Sequence, residues 1–348
     1  MRINYARSGM ILASDVVDSN GNLLLEKGIL LTEKYLARLR QHQITDISIQ
    51  HPALENAKPS PVISDDLRLE LTLCFQALYT IKTEGMQTSK LQQMYFRQLY
   101  NASDSIITEV GQNMPNILNT EIRKPTTDEV THAVNVCLLS VVTGHYLKLP
   151  RPALRELALG ALLHDVGKSV IPYVDNKPVN SPSMHPHYGR DLLLKHKLSS
   201  AAARIAAEHH EYYNGSGYPL GIEGKATHPL SRIVSLANYF DNAVAEANAV
   251  GRPLHDIIEN LLASSDILFD HNTLRAFIHT TPIYTLGSMV ILSTGQTGYI
   301  IRNRAHCPLR PIVRLYNKTG WDDLDMVCQP DITIIDIIEE YPESELVS

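Results

Sequence analysis

A chain of 348 residues is long enough for two or three domains, and its 44% apolar content is ordinary for a globular protein. The net charge of −6 argues against a nucleic-acid polymer as partner, so substrate phosphates would be met by local cations. Four cysteines without paired spacing, no recognisable signal peptide and no apolar run near the roughly 18 residues of a membrane helix lead us to expect a soluble, cytoplasmic protein with reduced thiols and no membrane partner.

Taken in order, residues 1–52 read as a small mixed α/β domain. Gly9–Ala13 and Asp15–Asp18 are strand-like, Ser19–Asn22 is a hairpin turn before Leu23–Leu25, and Thr32 caps a predicted helix over 33–41. Ile44–Ile49 closes with another strand. Residues 53–62 form a proline-containing linker. Over 63–120 apolar residues recur at three and four (Leu67, Leu71, Cys74, Leu78, Ile81, then Leu91, Met94, Leu99, Ile106), as in helices packed on a core. A helix over about 127–147 opens on Thr126-x-x-Glu129, a capping-box pattern, with Val130, Val134, Cys137 and Val141 as its buried stripe. His132 falls on the other side, shared with Asp128. The apolar run Leu157–Leu163 reads as a buried helix leading into His164-Asp165-Val166-Gly167-Lys168. The core spans 121–280, and 281–348 form a β-rich subdomain. Its strands are Ser288–Leu292, Tyr299–Ile301, Pro311–Leu315 and Ile332–Ile335, with turns at Thr294–Gly298 and Asn317–Gly320.

The chemistry concentrates in the core. After His164-Asp165 come His185-Pro186, His209-His210-Glu211 and Gly215-x-Gly217-Tyr218-Pro219. Histidine and carboxylate suit iron, manganese, nickel or zinc, and no cysteine lies near enough in sequence to suggest a thiolate site. On a helix His209 and His210 would point about 100° apart, which suits two ions better than one. If the helix continued past His164, Lys168 would share its face. A two-metal cluster with an open position suits in-line attack on a phosphodiester. His145, His187, His196, His228 and His255 lack partner spacing and are expected to be surface or hydrogen-bonded histidines.

The order His132, His164-Asp165-x-Gly167-Lys168, His185-Pro, His209-His210-Glu211, Gly215-x-Gly217-Tyr218-Pro219 resembles the HD-GYP domain of bacterial cyclic di-GMP phosphodiesterases, over roughly residues 121–260. The resemblance implies a mainly α protein with an all-helical core and two or three divalent metal ions, commonly iron or manganese. It implies His132, His164, Asp165, His185, His209 and His210 as metal ligands, Asp165 bridging, with Asp128 where trinuclear members carry a glutamate. It also implies Lys168 on a substrate phosphate and Arg252 and Tyr218 at the nucleotide. The implied activity is hydrolysis of cyclic di-GMP to linear pGpG or GMP, in a homodimer or with a signalling partner.

The chain departs from the family pattern at four places. Asn238 stands where the last metal ligand is an aspartate, Asn214 precedes Gly-x-Gly-Tyr-Pro in place of aspartate, the lid between Lys177 and His185 is short, and Leu254 follows Arg-Pro. These departures leave a second expectation: a degenerate module that binds metal and cyclic di-GMP, or a protein partner, with little turnover.

Overall fold

The computed structural model describes residues 3, 6–18, 22–44, 47–50, 54, 59–80, 86–124, 128–171, 173–174, 177–178, 182–250, 252, 254–304, 307–317 and 320–338. The protein is mainly α and divides into two compact units, one drawn from Met1–Pro59 with Tyr284–Ser348, the other from Ser60–Ile283.

The smaller unit begins with the antiparallel pair β1 (Val16–Val17) and β2 (Leu23–Leu25), then helix α1 (Glu33–Gln41). Thr32 caps α1 by accepting from the Tyr35 amide at 3.3 Å, as its sequence position predicts. Leu12, Leu31, Leu36 and Leu39 are fully buried at its centre. In place of the two outer strands predicted, single antiparallel bridges join Leu12 to Ile49 and Ile11 to Leu30.

Unit two opens with the short parallel pair β3 (Ser60–Pro61) and β4 (Thr120–Glu121), which bracket helices α2 (Asp65–Thr80) and α3 (Met86–Asn113). In α2 the predicted stripe Leu67, Leu71, Cys74 and Leu78 is buried. In α3 it is only half right: Leu99 and Ile106 are buried, but Leu91 and Met94 are exposed and Phe96 takes the inner position. Ile81 lies outside the described residues.

Next come α4 (Glu129–Tyr146), α5 (Arg151–Leu162), the antiparallel pair β5 (Tyr173–Val174) and β6 (Lys177–Pro178), α6 (His185–Lys195), α7 (Ser200–Glu208), α8 (Pro229–Val250), α9 (Leu254–Ala263) and α10 (His271–Thr280). Helix α4 has no single buried stripe: every residue from His132 to Gly144 is buried, because α5, α8, α10 and α3 pack around it. Its N-cap is Asp128, accepting from the Thr131 amide at 2.8 Å; Thr126 of the expected capping box lies outside the described residues. No helix among the described residues is long and apolar enough to cross a membrane.

The chain then returns to the smaller unit as a five-stranded antiparallel sheet: β7 (Met289–Leu292), β8 (Thr297–Arg302), β9 (Ile312–Asn317), β10 (Gly320–Asp325) and β11 (Ile334–Ile338), in the order β10-β9-β8-β7-β11. Met289, Tyr299 and Ile301 of this sheet enclose Leu54, so both ends of the chain share a core. Strand β10 is absent from the sequence-based expectation because its Gly-Trp-Asp-Asp-Leu-Asp run has poor strand propensity. Its cross-strand partner secures it: Arg314 holds Asp323 through two hydrogen bonds of 2.6 and 2.9 Å.

Candidate metal centre

Helix ends bring the ligand-type residues together. Helix α5 stops at Leu162, so His164 and Asp165 lie in the turn beyond it and not within a continuing helix. The chain then enters a 3-10 turn over Val166–Val170, and Lys168 reaches the site from there rather than from a shared helical face. His185 is the first residue of α6. His209 follows the last residue of α7, with His210 beside it. His132 comes from the first turns of α4, and Asn238 from the middle of α8. Gly167 is required by close approach: a Cβ there would lie 2.0 Å from the His185 carbonyl oxygen and 2.5 Å from the Gly189 amide nitrogen.

Asp165 is at the centre. Its Oδ1 lies 3.0 Å from His185 Nε2 and 3.4 Å from His209 Nε2. Its Oδ2 lies 3.3 Å from His164 Nε2, 4.0 Å from His132 Nε2 and 2.7 Å from Lys168 Nζ. Two donor groups share this carboxylate, Asp165 with His185, His209 and His210, and Asp165 with His132 and His164; within each, donor atoms lie within 4.8 Å of one another. His209 and His210 therefore belong to the same group, contrary to the expectation that adjacency would divide them between two ions.

The tautomers follow from acceptor-only partners. Nδ1 of His164 donates to the Ala161 carbonyl at 2.8 Å, Nδ1 of His209 to the Ala206 carbonyl at 2.9 Å, and Nδ1 of His132 to Asp241 at 2.7 Å. Each Nε2 then presents a lone pair toward the Asp165 carboxylate. His164 Nε2 and Asp165 Oδ1 are buried without a hydrogen-bond partner among the described residues. Asn238 adds another acceptor, its Oδ1 2.9 Å from His132 Nε2 while accepting from Asn242 at 2.9 Å. Acceptors turned toward one another in a buried space repel unless a cation lies among them. The donor set thus fits divalent metal ions.

Electrostatics agree. Burial would raise the Asp165 carboxyl, but positive charge at His164 and hydrogen bonds donated by His164, His185 and His209 lower it well below the usual carboxylate range. The carboxylate here is an anion that cationic neighbours stabilise. Burial pushes His209 down to about 4 and His210 lower still, so both are neutral and ready to ligate. For Lys168 burial pulls down, yet Asp165 and Glu129 raise it further, and it stays a cation.

Sequence reasoning gave no role to Asp241, three residues after Asn238. It is fully buried, orients His132, and is itself held by Arg123 and by Asn135 at 3.2 Å. The Asn-x-x-Asp spacing was the available signal. Glu211 ties down the glycine-tyrosine-proline loop by accepting from the Leu220 amide at 2.6 Å and the Ile222 amide at 3.1 Å. Gly217 lets that loop lie flat on the His209-His210 turn, since a Cβ would be 2.4 Å from the His210 carbonyl. Tyr218 consequently stacks on His210, ring centroids 4.4 Å apart and planes 16° apart.

The other expected site residues lie farther out. Asp128 is exposed at the α4 N-cap and belongs to neither donor group. Arg252 is exposed and lines a cavity of about 290 Å³ together with His209, His210 and Asn238. Asn214 closes a tight turn by accepting from the Ser216 amide at 3.0 Å and hydroxyl at 2.7 Å. Of the shortened lid, the β5–β6 backbone is described, while residues 179–181 lie outside the described residues.

Comparison with known proteins places this geometry. Residues 116–257 match the HD domain family. A cyclic di-GMP phosphodiesterase of Pseudomonas aeruginosa is 28% identical over 76% of this chain and 67% of its own length. The cyclic di-GMP phosphodiesterase response regulator RpfG of Xanthomonas campestris is 39% identical over 29% of each chain. A 3'3'-cGAMP-specific phosphodiesterase of Vibrio cholerae is 31% identical over 32% of this chain and 27% of its own. The chain spans about two thirds of the first relative and less than a third of the other two. It carries an HD domain whose buried histidine–aspartate centre fits divalent metal ions, and its similarity is to bacterial cyclic-dinucleotide phosphodiesterases.

Proposed function

We propose that this protein is a metal-dependent phosphodiesterase of the HD-GYP type that hydrolyses cyclic di-GMP to linear pGpG or GMP, using two iron or manganese ions. The observation that carries the reading is the single carboxylate of Asp165 facing two separate imidazole groups beside an open cavity. When bound, a pair of divalent ions supplies an activated water and offsets charge developing at phosphorus. His132 and His164 would hold one position, His185, His209 and His210 the other, and Asp165 both. Lys168, cationic and 2.7 Å from Asp165, is placed to neutralise a non-bridging phosphate oxygen. Tyr218, stacked on His210 and with burial raising its hydroxyl to about 12, remains a neutral donor beside that imidazole.

The test combines metal analysis after reconstitution with manganese or ferrous iron and turnover of cyclic di-GMP. About two ions per chain with hydrolysis supports the reading, and fewer than one ion per chain sinks it. Asn238 favours a second reading: a neutral amide where a carboxylate would complete the second group leaves that position one charge short. In that case the module binds metal and nucleotide but turns over slowly.

A further inference from the structure

The cavity beside His209 and His210 runs along α8, and Asn238, Asn242 and Glu246 all line it. Spaced by four, they lie on one helical face, and the axis advances about 12 Å from the first to the third. That is near the reach of a nucleotide from its phosphate to the far edge of its base. At the metal end the two amides are committed, Asn242 donating to Asn238 at 2.9 Å and Asn238 facing His132. Glu246 at the far end makes no hydrogen bond or ion pair among the described residues. Tyr239, braced edge-on by Phe269 at 5.2 Å, forms an aromatic wall between the ends. A volume of about 290 Å³ suits one nucleotide half rather than a whole cyclic dinucleotide.

An uncommitted carboxylate reads a base edge with two adjacent donors. Guanine offers N1–H and its 2-amino group side by side, whereas adenine presents a lone pair at N1 and no 2-amino group, which a carboxylate repels. We infer that Glu246 is the guanine-reading residue of this cavity, accepting from N1–H and N2–H of a base whose phosphate sits at the Asp165 cluster. The inference rests on the phosphodiesterase reading above. A simply solvated helix-surface glutamate would have no such preference.

The test titrates GMP and AMP by calorimetry into manganese-loaded wild type, Glu246→Ala and Glu246→Gln, all checked for equal metal content. Turnover of bis(p-nitrophenyl) phosphate, which has no base, serves as a control. We expect the GMP-over-AMP preference to fall about 10-fold in Glu246→Ala. It should fall further in Glu246→Gln, whose amide can donate to adenine N1 and accept from its 6-amino group, with the control unchanged in both. An equal ratio in all three proteins, an equal loss of both nucleotides, or failure of GMP to bind wild type overturns the inference. A shifted ratio without any cyclic di-GMP hydrolysis overturns only the enzyme reading; hydrolysis with an unshifted ratio overturns only the role of Glu246.

Discussion

Asn238 has its amide oxygen between an Asn242 amide that donates to it and a His132 nitrogen that presents a lone pair. A carboxylate there would add charge at the point where two acceptors already meet, so Asn238→Asp should raise metal occupancy and turnover together. Unchanged occupancy with an intact circular dichroism spectrum would remove position 238 from the ligand shell. Asp241 works one bond further out. Replacing it by Asn frees the His132 tautomer and should weaken metal affinity about 10- to 100-fold, measured by competition with a chelator. The buried imidazoles also set a pH window. His209 titrates in the folded protein at about 4 against an ordinary 6.5, so the unfolded chain binds more protons between those values. Stability of the metal-free protein is therefore full above about 6.5 and falls as pH drops toward 4. Asp165, depressed in its folded state, adds a further loss in the same direction at still lower pH. Urea midpoints taken across this range check the sign, and a midpoint that rises on acidification would contradict it.

Among the secondary-structure elements, the ligands gather where helices end. His164-Asp165 follow the C-terminus of α5 and His209-His210 that of α7, where unpaired carbonyls carry partial negative charge and favour a cation. The start of α6 at His185 opposes this, and the contact that brings it in is the glycine pair Gly167 and Gly189. Gly167→Ala forces the 3-10 turn away from the His185 carbonyl, which is backbone and cannot yield as a side chain can. We expect a loss of about 1–3 kcal/mol together with reduced metal content. Gly144→Ala is the control, because its Cβ would meet the side-chain tips of Leu154 and Leu157. Equal metal content in both variants would show that the Gly167 contact does not position the ligands.

For the molecule as a whole, metal binding and folding are linked. Ions that bind only the folded centre stabilise it by about 2.7 kcal/mol at 100 times their Kd. For a unit of this size that raises Tm by about 5–10 °C. Adding manganese to metal-free protein should produce that rise and a chelator should reverse it, as read by calorimetry. Because His132, His164, His185 and His209 all belong to the unit from Ser60 to Ile283, the shift should appear in the transition of that unit. A shift confined to a separate transition of the smaller unit would contradict the site.

The sequence by itself determined the Thr32 cap and the α2 stripe, which depend on local chemistry within a few residues, and, through its family resemblance, the mainly α class. It also supplied the candidate ligands, because histidine and aspartate at these spacings are chemically distinctive. What only the tertiary structure decided is how those residues meet. Asp165 faces two imidazole groups because α5 ends at Leu162, and His209 and His210 share one group because α7 ends at Glu208. Asp241 acquires a role only because α8 crosses α4, bringing positions 109 residues apart to 2.7 Å. The polar strand β10 is held by Arg314, and Leu54 by a sheet more than two hundred residues away. In each case the energy lies in a contact between distant segments, which no local propensity encodes.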